Sequence, residues 1–181
     1  MENHNQHNKR NYLNIVLIGP ECTGKTTLSK ALAKHYNTSV VPEYSRIYAE
    51  ESKHQLTYKD VLPITEGQYL LEVKHRLMAR QILFFDTNLL QTKIYSQWYY
   101  NQHPEKLDQY IKISNYDFYF LNSVDVPWQP DGIRDQPTNR LELFFKFVEA
   151  LNRQYTPFTI LKGSIEDRIK KALYHINRIY C

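Results

Sequence analysis

The run Gly19-Pro20-Glu21-Cys22-Thr23-Gly24-Lys25-Thr26-Thr27 has the pattern G-x-x-x-x-G-K-T, the spacing of a phosphate-binding loop. Glycines at Gly19 and Gly24 let the chain turn tightly, so that successive backbone N–H groups point at one anion. A helix starting there adds its unpaired N–H groups and the positive end of its dipole. Lys25 is then expected at the β- and γ-phosphates of ATP, and the Thr26 hydroxyl on Mg²⁺. Glu21, Cys22, Thr23 and Thr27 complete the loop that would wrap the phosphates.

Outside the loop, four charged residues are candidates for chemistry. Asp86 closes the apolar run Ile82-Leu83-Phe84-Phe85. A carboxylate at such a strand tip would face the Thr26-bound metal; its other reading is a cap for a helix starting near Asn88. Glu43 follows the short run Ser39-Val40-Val41-Pro42. It is placed to orient or deprotonate a substrate hydroxyl, or else to be an exposed first-turn glutamate. Arg46, three residues on, would pair with Glu43 or with a phosphate. The segment 124–139 is polar and proline-rich, contains Trp128 and Arg134, and leads into Arg140. A connection of this length suggests a lid that brings Arg134 and Arg140 to the transferring phosphoryl group.

These residues need elements to hold them. The apolar residues 12–18 predict a strand buried on both faces, followed by a helix over 25–36 with Leu28 and Leu32 on one face. Further strands are expected at 39–41, 82–86, 116–121 and 158–161. Helices are expected at 45–51, 58–62, 64–80, 89–100, 104–113, 140–155 and 165–179. The inward faces are read as Tyr69, Leu70, Val73, Leu77 and Met78 in the long third segment, and as Leu141, Phe144, Phe145, Val148 and Leu151 in 140–155. Ser164-x-x-Asp167 predicts a capping box for the last helix. Five strands alternating with helices imply an α/β, three-layer fold with a mostly parallel sheet. In such sheets ligands bind beyond the carboxyl ends of the strands, where the loop, Glu43 and Asp86 all fall.

The 181 residues suit one domain, read as residues 12–181, after a polar and disordered tail at 1–11. The net charge of +4 favours an anionic ligand such as ATP. No Lys/Arg-rich run marks a nucleic-acid surface. No apolar stretch reaches the length of a membrane span, and the start has no secretory h-region. Two cysteines, Cys22 and Cys181, give no disulfide framework and no zinc pattern. A reduced, cytoplasmic protein is expected.

From Leu13 onward the chain resembles the ribosylnicotinamide kinase domain of NadR-type proteins, a P-loop kinase group. The matching pieces are the loop, Glu43-Tyr44-Ser45-Arg46-Ile47-Tyr48, Phe85-Asp86-Thr87, Tyr116-Asp117 and Asp131-Gly132-Ile133-Arg134. The resemblance implies transfer of the ATP γ-phosphate to the 5′-hydroxyl of nicotinamide riboside, with a fold like the nucleoside and nucleotide kinases. It also implies that Glu43, Tyr44, Arg46 and Asp86 bind the acceptor. Two positions depart from relatives: Pro42 stands where some carry a tryptophan, and Asn88 where an Asp-Thr-Asp pattern has its second acid. No H-x-G-H pattern is present, so adenylyl transfer is not expected. A kinase for another nucleoside, and a nucleotide-gated regulator that binds a protein partner, are the competing readings. Oligomeric state is not legible.

Overall fold

The apolar run at the start forms β1, Leu13–Ile18, and its alternation builds two cores at once. Ile15 and Leu17 pack with Leu28 and Leu32 of helix α1 (Lys25–His35) and with Ala172 and Ile176 of α7 (Ile165–Tyr180). Val16 and Ile18 point the other way. They meet Leu90 and Ile94 of α4 (Leu89–Tyr100) and Leu143, Phe147 and Leu151 of α6 (Arg140–Gln154). The computed structural model describes residues 12–127 and 139–180.

The remaining strands are β2 (Val40–Val41), β3 (Ile82–Asp86), β4 (Phe118–Asn122) and β5 (Phe158–Leu161). All are parallel, in the order β2-β3-β1-β4-β5. The expected three-layer α/β architecture is therefore present, with β1 central. Register aligns Leu17 with Asp86 and Ile18 with Leu121. The segments after β1, β3 and β4 thus leave the sheet side by side. Helices α2 (Tyr44–Glu51), α3 (Val61–Arg76) and α5 (Glu105–Ile113) complete the fold. A capping box of Ser164 and Asp167 starts α7 as expected, with Ser164 Oγ accepting from Asp167 N at 3.1 Å. Among the described residues no helix is long and apolar enough to cross a membrane.

Four local expectations need correction. Pro63 does not separate two helices: it lies in the first turn of α3, where a missing N–H removes no helical bond. The inward face of α3 follows the expected apolar stripe only at Tyr69 and Val73, which are half-buried. Val61, Ile64, Thr65, Gln68 and Glu72 are buried, whereas Leu70 is exposed and Leu77 is 84% exposed. In α6 the buried face is Leu143, Phe144, Phe147 and Leu151, with Leu141 and Phe145 exposed. Both stripes satisfy helical spacing. Arg140, three and four residues before Leu143 and Phe144, selects one by turning inward onto backbone carbonyls. The fourth strand begins two residues late. The Asp117 carboxylate takes the Asn14 N–H at 2.7 Å, and the ladder starts beyond it.

Candidate active site

The loop between β1 and α1 is held from behind. Gly19 has φ +138°, and a Cβ there would sit 2.8 Å from the Asn122 carbonyl oxygen. Cys22 (φ 52°) and Gly24 (φ 77°) are both left-handed, the conformation that curls successive N–H groups toward one point. Thr23 Oγ1 donates to Pro20 O at 2.7 Å and ties the turn. Lys25, first residue of α1, is buried and donates through Nζ to Gly19 O at 2.9 Å and Pro20 O at 2.8 Å. Thr26 is half-buried and Thr27 exposed beside it.

Three side chains from distant elements grip the loop carbonyls. Asn122 Nδ2 and Arg168 Nη1 donate to Thr23 O at 2.9 and 2.7 Å. Arg140 Nη1 donates to Cys22 O at 3.3 Å, while its Nη2 holds Val126 O at 2.8 Å. A trans peptide points its C=O and the next N–H in opposite directions. Donors on these two carbonyls therefore turn the N–H groups of Thr23 and Gly24 to the other face of the loop, as a phosphate cradle requires. Arg168 is 2% exposed and is secured by Gly163 O at 3.1 Å and by an ion pair with Asp125. Burial draws its guanidinium pKa down, and the Asp125 charge opposes that.

Asp86 ends β3 against Leu17 and is 5% exposed. It does not cap α4; Asn88 does, with its Oδ1 accepting from Gln91 N at 3.4 Å and its Nδ2 donating to the Tyr119 hydroxyl at 2.9 Å. Asp86 Oδ1 is buried and has no hydrogen-bond partner among the described residues. A buried carboxylate oxygen without a donor is costly, and a cation would satisfy it. Among the described residues no three His, Cys, Asp or Glu side chains converge as a metal cage. That donor set fits Mg²⁺, which takes one or two protein oxygens plus phosphate and water.

A cavity of ≈ 200 Å³ opens from the loop toward α2, α3 and α4. Glu21, Lys25, Glu43, Arg46, Tyr95 and Tyr99 are among the residues that line it. Glu43 is the N-cap residue of α2. Gln91 Nε2 donates to its Oε1 at 3.0 Å, and Arg46 Nε lies 4.0 Å from its Oε2. Burial first, then the charges of Glu21 and Glu43, hold the Tyr95 hydroxyl pKa well above its ordinary value, so the phenol stays neutral. Tyr44 is not part of the cavity wall: its ring lies against Gly67 of α3, where a Cβ would be 2.0 Å away. Trp128, Asp131 and Arg134 lie outside the described residues, with most of the expected lid.

The structure thus brings Glu21, Lys25, Glu43 and Arg46 to one cavity, sets Asp86 on the strand beside the loop's own, and puts Arg140 on the loop's outer edge. Gln91, Tyr95 and Tyr99 were not singled out from sequence, although their i, i+4, i+8 spacing after Asp86 marks one helical face. Asn122, Asp125 and Arg168 carry no local signal; only the fold brings them to Thr23.

The AAA domain family matches residues 14–168. The trifunctional NAD biosynthesis/regulator protein NadR of Salmonella typhimurium is 28% identical over 162 residues. That match covers 84% of this chain and 39% of the relative, so the chain spans about two-fifths of its length. A NadR structure in complex with NR superposes with a TM-score of 0.77 at 21% identity, covering 94% of this chain and 50% of that one. Thymidylate kinase from Ehrlichia chaffeensis superposes with a TM-score of 0.69 at 17% identity, covering 91% and 98%. At those identities the two structures establish the fold, that of the P-loop nucleoside and nucleotide kinases.

Proposed function

The chain belongs to the AAA domain family, and we propose that it is an ATP-dependent kinase that phosphorylates the 5′-hydroxyl of nicotinamide riboside. One observation carries the reading: Lys25 of the phosphate loop and Glu43 line the same cavity. A donor phosphate at one end and an acceptor hydroxyl at the other would meet within it. The similarity to NadR, one of whose structures holds NR, supports this acceptor. So does the chemistry of the wall. Nicotinamide riboside presents a flat, cationic pyridinium, and the Tyr95 and Tyr99 rings suit it.

In this reading Lys25 and the loop N–H groups hold the ATP phosphates, and Arg140 adds positive charge at the loop's edge. Thr26 and Asp86 would hold Mg²⁺, which when bound neutralises phosphate charge. Glu43, fixed by Gln91, accepts the proton of the acceptor hydroxyl as its oxygen bonds to the γ-phosphorus and the bond to ADP breaks. Arg46 limits the motion of Glu43. Positioning and charge stabilisation carry the rate, because phosphoryl transfer asks little covalent chemistry of the protein.

The test is ADP release from Mg-ATP with a panel of nucleosides. A kinase of this kind releases ADP only with an acceptor, and fastest with nicotinamide riboside. ADP release that is independent of any acceptor would instead mark a nucleotide-gated regulator.

A further inference from the structure

Glu72 of α3 is wholly buried, does not line the cavity, and has no part in the chemistry above. It belongs to a continuous polar chain. Glu43 makes no side-chain cap for α2, so the Tyr44 N–H, one of the unpaired donors at a helix start, takes its acceptor from another helix. Gln68 Oε1 accepts from it at 2.9 Å. Gln68 Nε2 in turn donates to Glu72 Oε1 at 3.2 Å. Glu72 Oε2 accepts from Arg76 Nη2 at 3.0 Å and from the Tyr116 hydroxyl at 2.8 Å. The Arg76 guanidinium is packed on the rings of Phe85 and Tyr116, so the chain ends in the core under the sheet.

We infer that Glu72 is a positioning residue for the acceptor: it fixes the sense of the Gln68 amide and, through Gln68, holds the start of α2 and the Glu43 carboxylate. The argument is one of donors and acceptors. A side-chain amide accepts on one side and donates on the other, and its second partner decides which way it faces. An ionised carboxylate only accepts, so Gln68 must turn Nε2 toward Glu72 and Oε1 toward Tyr44. A group at position 72 that can itself donate removes that constraint and leaves the Tyr44 N–H without a guaranteed acceptor. Gly67 serves the same junction by letting the Tyr44 ring close onto α3. The inference rests on the reading of Glu43 as the acceptor's residue.

The charged and titratable groups facing Glu72 are Arg76 from its own helix, Tyr116 from the segment before β4, and the neutral phenol of Tyr119 on β4, whose ionisation the Glu72 charge opposes. Burial pushes the Glu72 carboxyl up to about 7, against the Arg76 charge and the bonds from Tyr116, Gln68 and Arg76. The relay therefore sets its amide firmly above neutral pH and loosens below it, so acceptor affinity should rise as pH rises through that range.

The test follows the Tyr44 backbone amide and the Gln68 side-chain amide by NMR in the ligand-free protein, from about pH 5.5 to about pH 8.5. Both should titrate with one midpoint near neutrality and become flat in Glu72→Gln. Tyr116→Phe, which removes one donor to the carboxylate, should move the midpoint upward and serves alone if Glu72→Gln does not fold. In kinetics, Glu72→Gln should raise the KM for nicotinamide riboside about tenfold, the cost of one lost bond to a charged partner, and leave the KM for Mg-ATP unchanged. A Tyr44 amide that does not titrate, that titrates equally in Glu72→Gln, or a rise of both KM values together would overturn the inference. Should the wild type not phosphorylate nicotinamide riboside, the proposed acceptor fails while the NMR arm still decides this point.

Discussion

The proposed phosphate side and the proposed acceptor side of the cavity are built in opposite ways. The phosphate side is backbone: left-handed Cys22 and Gly24, a tied Thr23, and carbonyls gripped by Asn122, Arg140 and Arg168. Its supporting charges are the guanidinium groups of Arg140 and Arg168. The acceptor side is made of side chains from α2, α3 and α4, and its support is a buried glutamate with a pKa of about 7. A loop that binds any nucleoside triphosphate gains from a fixed backbone. A pocket that must choose an acceptor is assembled from side chains, and its support can respond to pH.

Substitutions on the two sides should therefore separate. The largest effect is expected from Lys25→Ala. Removing a charged contact to the transferring phosphate lowers turnover by about 10²–10³ with any acceptor, with circular dichroism showing an intact fold. Glu43→Gln should lower acceptor-dependent turnover by about a hundredfold while ATP affinity measured by calorimetry stays the same. An equal loss of ATP binding would place Glu43 on the metal and dissolve the distinction between the sides. Arg168→Met keeps the buried stem and removes the donors to Thr23 O and Gly163 O. It should weaken ADP about tenfold yet leave adenosine binding unaltered, because only the phosphate cradle is disturbed; a common loss for both ligands would make Arg168 merely structural.

The smallest change in turnover, and the clearest in stability, belongs to Glu72. Its folded pKa of about 7 exceeds the ordinary 4.5, so between those values the native state binds the extra proton. Wild-type stability should therefore fall as pH rises from about 4.5 to about 7, by a few kcal/mol at most. Denaturant melts of Glu72→Gln should lack that slope. Stability and acceptor affinity would then move in opposite directions with pH, a trade the phosphate side does not make.

The same contrast explains what could be read from sequence. The loop is contiguous, so glycine spacing, Lys25 and the flanking strand and helix declare it together. Asp86 is visible because a carboxylate ending a wholly apolar strand is conspicuous, and Glu43 because it follows a strand tip. The acceptor side is assembled across the chain and hides from periodicity. In α3 the apolar stripe through Leu70 and Leu77 faces solvent, while the buried face carries Gln68 and Glu72. Hydrophobicity cannot find Gln68 and Glu72, polar residues whose partners include Tyr44 and Tyr116 on other parts of the fold. Arg168 is invisible for the same reason: its partners Thr23 and Asp125 lie in parts of the sequence far from α7.

The central claim is that donor phosphate and acceptor hydroxyl meet in the one cavity between Lys25 and Glu43. Phosphorus NMR of a reaction of Mg-ATP with nicotinamide riboside tests it most directly. The account predicts one equivalent of ADP for each equivalent of a new phosphomonoester on the riboside 5′-oxygen, appearing about a hundredfold or more slowly in both Lys25→Ala and Glu43→Gln. Free phosphate in place of the phosphomonoester, or product at the wild-type rate from a folded Glu43→Gln, would contradict it.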